Sequence, residues 1–254
     1  MQSAPRPWPL APEPEPVFGM LEVCFAFGAM LAAVIFCGVV AVAVAHHMPG
    51  FSGMKMTELA NETRVLLPAQ LAAYCLVLAA LWRLFGHHFG IGFWRALAWR
   101  WPGRWPVFVI GGVVLAVVVQ VGAHFLPSPP ELPVDKMMRT ASDAWMMSIF
   151  GVLIAPFVEE VLFRGLLFPA LTRRMGALAA LLLSSLVFGA FHAQQLAGEW
   201  IQVSCIVVVS VVLTGVRWRF RSLASSTLVH VGYNGTLFAA LFVQTNGFTN
   251  LLRR

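Results

Sequence analysis

Apolar residues along this chain run in long continuous blocks, separated by short polar or Pro-rich segments, rather than in the narrow stripe of a surface helix. About 20 consecutive apolar residues suffice for a helix to cross a bilayer. By that measure residues 18–45, 65–85, 105–125, 144–171, 175–192, 199–216 and 223–243 predict seven spans, with an eighth if 96–107 re-enters the membrane. The first is long enough to tilt or to extend into the interface. The stretch 126–133 holds Pro127, Pro129, Pro130 and Pro133, cannot continue a helix, and reads as a loop. Residues 1–17, rich in Pro and carrying Glu13 and Glu15, read as a short disordered arm without the basic start of a signal peptide. The expected architecture is all-α: a polytopic membrane helix bundle forming one domain over 18–254, with the chemistry-bearing residues in about 143–243.

Composition agrees. Hydrophobic residues make up 59% of the 254 and charged residues 11%, against about 25% charged in an average soluble domain. The net charge of +6 falls in connecting loops, so it reads as membrane topology, with a lipid bilayer as partner and no nucleic acid. An inside N-terminus puts Arg6, Arg83, Arg95, Arg100, Arg104, Arg173, Arg174, Arg217, Arg219 and Arg221 on the cytoplasmic side, and Lys55, Arg64, Lys136, Arg139, Arg253 and Arg254 outside. Trp94, Trp99, Trp101, Trp105 and Trp218 crowd the same inner boundary, as interfacial belts do. The compact chain suits a bacterial inner membrane. Cys24, Cys37, Cys75 and Cys205 lie in apolar spans without C-x-x-C spacing and read as small hydrophobes.

One span is chemically different. Glu159, Glu160 and Arg164 interrupt an otherwise apolar run, and ionised groups at mid-membrane are costly enough to mark function. At about 3.6 residues per turn, Glu160 and Arg164 share a face and form a pair, while Glu159 points roughly 100° away and needs a partner from another helix. Of the seven histidines, His46, His47, His87, His88 and His124 fall in loops or at span ends. His192 closes Phe188-Gly189-Ala190-Phe191-His192, and His230 opens His230-Val231-Gly232-Tyr233-Asn234. At about 1.5 Å per residue these groups lie roughly 10 to 24 Å from the inner ends of their spans. They can therefore share one polar cavity near the midplane.

Glu159-Glu160-x-x-x-Arg164, Phe188-x-x-x-His192 and His230-x-x-x-Asn234, in this order, resemble the motifs of the CAAX-protease and bacteriocin-processing family of intramembrane proteases, also called Abi. The resemblance covers about 148–241. It implies hydrolysis of a peptide bond in a membrane-anchored peptide or protein by water activated between Glu159 and His192. His230 and Asn234 would stabilise the oxyanion, and the Glu160–Arg164 pair would hold the helix face. Either no cofactor is required or a divalent metal such as zinc serves; in that case Glu159, His192 and His230 would hold it. The chain has no His-Glu-x-x-His and no Gly-x-Ser elbow suited to a nucleophile, and its only aspartates, Asp135 and Asp143, form no deep pair. Two other classes use similar residues: a non-proteolytic scaffold or immunity protein of the same fold, and a proton- or cation-coupled transporter. The second lacks its paired Gly/Pro-broken half-helices.

Overall fold

A computed structural model describes residues 17–127 and 135–251. Most of the Pro-rich arm, part of the Pro-rich loop, and Arg253 and Arg254 lie outside the described residues. Among these residues every regular element is helical. Six helices are long and apolar enough to cross a membrane: α1 (Met20–His46), α2 (Thr63–His88), α3 (Trp105–His124), α4 (Ala141–Met175), α6 (Trp200–Phe220) and α7 (Leu223–Gln244). The seventh expected span is the 16-residue α5 (Ala177–His192), about 24 Å long and so short of the roughly 30 Å hydrocarbon core. The region 96–107 forms no eighth span: a single helical turn, Phe93–Ala96, is followed by irregular chain up to Arg104.

Local chemistry sets the boundaries. The Gly19 N–H donates to Glu22 Oε2 (2.7 Å) at the start of α1, and Thr140 and Asp143 bond reciprocally at the start of α4. Gly176 turns the chain from α4 to α5 at φ +81°, where a side chain would be strained. α6 runs past the expected 216 to Phe220, which draws Arg217 out of the predicted loop and buries it at 2% exposure. Arg221, at φ 52°, makes the turn into α7. There the Ser222 hydroxyl donates to Arg100 O and the Leu223 N–H to Ala98 O, tying α7 to the α2–α3 connection.

The 35-residue α4 is the central element. It widens twice into π-helical turns, Phe150–Ile154 and Val161–Leu167, each followed at once by a short segment containing proline, Pro156 and Pro169. A proline ring crowds the preceding turn and offers no N–H, so a local π turn accommodates it without ending the helix. From α4 the buried Val158, Val161, Phe163 and Leu166 pack in one core with Phe18, Val77, Leu81, Phe85 and Leu97 of the elements around it. The α3–α7 crossing depends on small residues, as membrane interfaces do. A Cβ on Gly112 would sit 2.1 Å from Val229 O, and one on Gly232 would sit 2.2 Å from Val109 O.

Gly232→Ala is therefore expected to force α7 off α3 and lower the melting temperature by about 5 °C or more. Gly235→Ala is the control, because its Cβ meets only Val152 Cγ1 at an ordinary 3.7 Å. Equal melting temperatures for the two purified variants would contradict the close crossing.

Candidate active site

Arg164 and Glu160 lie one turn apart on α4 and are almost completely buried, at 1% and 0% side-chain exposure. Arg164 Nη1 donates to Glu160 Oε1 at 3.0 Å. The rest of the guanidinium is met from α6: Nη2 donates to Ser210 Oγ (2.7 Å) and Ser210 O (3.2 Å), and Nε to Thr214 Oγ1 (3.2 Å). Its carbon stands 4.5 Å over the Phe188 ring of α5, a cation–π contact. The expected pair is thus a hub joining three helices.

Glu160 Oε1 also faces His230 Nδ1 of α7 at 3.1 Å. That contact leaves Nε2 of the imidazole directed at the neighbouring carboxylate, 3.7 Å from Glu159 Oε2. His192 at the end of α5 is held differently: its Nδ1 lies 2.8 Å from Phe188 O, which can only accept. Nδ1 is therefore the protonated nitrogen in neutral His192, and its Nε2 presents a lone pair. That Nε2 stands 3.9 Å from Glu159 Oε1. The partners that Glu159 lacks on its own helix come from α5 and α7.

Glu159 is 23% exposed and His192 18%, against 5% for His230 and 0% for Glu160. The group is therefore accessible at Glu159 and His192, with His230 and Glu160 buried behind them. The two imidazole distances exceed a direct hydrogen bond but suit a bridging water. His192 Nε2 and the Glu159 carboxylate are both acceptors, and one water has two hydrogens to give them.

Five of the six expected residues, Glu159, Glu160, Arg164, His192 and His230, form this connected group. Asn234, one turn beyond His230, uses its amide nitrogen elsewhere, donating to Gly151 O of α4 at 2.7 Å. Sequence reasoning missed Ser210 and Thr214. Their one-turn spacing in the apolar middle of the helix was the available signal, and it pointed to no partner until α6 was placed beside Arg164. It named Phe188 as a motif position without foreseeing the cation–π contact with Arg164, because an apolar ring gives no sign of the charge it will cover.

Residues 141–236 match the family model described as type II CAAX prenyl endopeptidase Rce1-like. Over this segment the chain is similar to the CAAX-protease family. The match contains all six expected site residues and leaves α1, α2 and α3 outside it. No curated protein and no solved structure matches the chain. That similarity, together with six helices long and apolar enough to cross a membrane, relates the chain to the CAAX-type membrane proteases.

Zinc in a catalytic site takes three protein donors about 2.0–2.2 Å from one point. Among the described residues no group of three His, Cys, Asp or Glu side chains is arranged to hold a metal ion. Glu159, His192 and His230 adjoin one another without forming such a set, and His230 is already turned toward Glu160. As they stand, these residues do not fit a metal, so the chemistry below is derived from the side chains.

The buried pair sets a stability expectation. Glu160→Ala leaves the Arg164 charge buried beside two hydroxyl-bearing residues and removes the anchor of His230, at a cost of about 3–5 kcal/mol. Glu159→Ala, at a partly exposed carboxylate, should melt close to wild type. Thermal melts in detergent compare the two, and an unchanged melting temperature for Glu160→Ala would remove the structural role of the pair.

Proposed function

We propose that the protein is an intramembrane endopeptidase in which Glu159 and His192 activate a water for attack on a peptide carbonyl of a membrane-anchored substrate. The observation that carries this reading is the Glu159–His192 gap of 3.9 Å, with Nδ1 of His192 committed to Phe188 O. Both facing groups accept hydrogen bonds, so a water between them donates twice and its lone pair is directed away, toward a bound substrate. Glu159 takes the proton as the C–O bond forms, which is general base catalysis worth about 10²–10⁴-fold.

His230 completes the chemistry. With Glu159 and Glu160 ionised and Arg164 cationic, one further proton makes the group electrically neutral. Placed on His230, it lets Nδ1–H donate to Glu160 and leaves Nε2–H to bind the oxygen of the tetrahedral intermediate. Collapse of the intermediate returns the proton from Glu159 to the leaving amine, the C–N bond breaks, and the carboxylate is regenerated.

The Arg-rich ends of α2, α4 and α6 and the connection carrying Arg95, Arg100 and Arg104 support a cytoplasmic N-terminus in a bacterial inner membrane. Substrate then arrives from that side. The test uses purified protein in detergent with lipidated and unlipidated peptides, read by mass spectrometry of the products. Glu159→Gln and His192→Ala should each lower cleavage by about 10³-fold or more while the proteins stay folded. Substantial activity in either variant would remove the water-activating pair. Ion flux in proteoliposomes without cleavage would instead make the chain a transporter, and stable capture of a membrane partner without either would make it a scaffold.

A further inference from the structure

The Asn234 contact has a cause in the covalent chemistry of α4. In the π-helical turn Phe150–Ile154 the Ala155 N–H donates to Phe150 O, five residues back. The nitrogen next in line for Gly151 O would be that of residue 156, which is proline and has no N–H. Gly151 O is thus left without a donor from the following turn, and a carbonyl withheld from water costs free energy until it is met. Asn234 Nδ2 meets it at 2.7 Å from the neighbouring helix. The approach needs a glycine at 151: a Cβ there would lie 2.8 Å from the ring of Phe238, which is one turn beyond Asn234 on α7.

We infer that Asn234 is a positioning residue, supplying to Gly151 O the hydrogen bond that Pro156 withholds and thereby fixing the turn of α4 that leads into Glu159. Glu159 lies three residues beyond Pro156, with no intervening break in the helix. A π turn followed by proline can slip between hydrogen-bonding registers, and a slip of one residue rotates a helical side chain by roughly 100°. The amide of Asn234 binds this turn to α7, the helix that also carries His230. Carboxylate and imidazole are therefore held in one frame. The inference rests on the proteolytic reading above for its catalytic consequence, and on the hydrogen bond alone for its structural one.

A double-mutant cycle on the purified full-length chain in detergent tests it, with Asn234→Ala, Pro156→Ala and both together. Residue 156 regains an N–H in Pro156→Ala, so Gly151 O no longer depends on Asn234. Asn234→Ala alone is expected to lower the melting temperature and to reduce kcat by about 10²-fold or more with KM nearly unchanged. In the Pro156→Ala background the same substitution should change kcat less than about threefold and leave the melting temperature unaltered. A direct oxyanion donor is worth about 10²–10³ in kcat whatever residue 156 is. An equal loss of kcat in both backgrounds would therefore overturn the inference, as would additive melting temperatures. If wild type cleaves nothing, the proteolytic reading fails while the melting cycle still decides whether Asn234 replaces the missing N–H.

Discussion

Burying the Arg164 guanidinium would cost several kcal/mol if its donors and its charge were not met, and the site is built from the groups that meet them. Glu160 supplies the charge, Ser210 and Thr214 accept the remaining N–H groups, and the Phe188 ring covers one face. Those residues come from α4, α6 and α5, so the requirements of one side chain fix the relative placement of three helices. α7 joins them because Glu160 also accepts from His230 Nδ1. Such a hub specifies position more than it stabilises. A hydrophobic pair of similar volume could pack there as well, but it would offer nothing to orient an imidazole.

The helix carrying the hub departs from ideal geometry where the chemistry requires it. Pro156 and Pro169 interrupt the ladder on either side of Glu159, Glu160 and Arg164, and a π turn precedes each interruption. In a bilayer the freed carbonyls have no water to turn to, so neighbouring helices must satisfy them. Asn234 does so for Gly151. The same glycine-dependent closeness appears at Gly112 and Gly232, where α3 and α7 approach backbone to backbone. α7 is thus held from two sides, by contact with α3 and by a hydrogen bond to α4, and His230 lies between those restraints.

Much of this was legible in the sequence, for physical reasons that differ by residue. The spans were legible because apolar length is set by bilayer thickness. The Glu160–Arg164 pair was legible because helical periodicity alone brings residues four apart together. That His192 would face Glu159 came from the resemblance of the three motifs, while the scarcity of other polar groups at depth said only that His230 would lie nearby. Helix ends were less legible: α6 continues through Arg217, which an apolar-run criterion places in a loop, because burial within the bundle can accommodate a charge that lipid cannot. The two π turns left no mark beyond their prolines. Ser210 and Thr214 could not be read, since a hydroxyl in a membrane helix bonds its own preceding turn as readily as a neighbour.

Adjacent carboxylates in a low-dielectric interior would ordinarily repel, and their different surroundings allow both to be used. Glu160 is sealed from solvent and shared by two cationic or proton-donating partners on its own and another helix, so its charge is balanced in place. Glu159 projects roughly 100° around the helix to the more accessible side, with 23% of its side chain exposed and no direct hydrogen bond to either imidazole. One carboxylate is thereby tied into the protein, while the other keeps its lone pairs for water. The short α5 makes this difference useful, because a helix of 16 residues ends within the thickness of the bilayer and leaves His192 beside Glu159 at that depth. A longer α5 would carry the imidazole to the far interface, where it could no longer face the carboxylate that the buried pair sets in position.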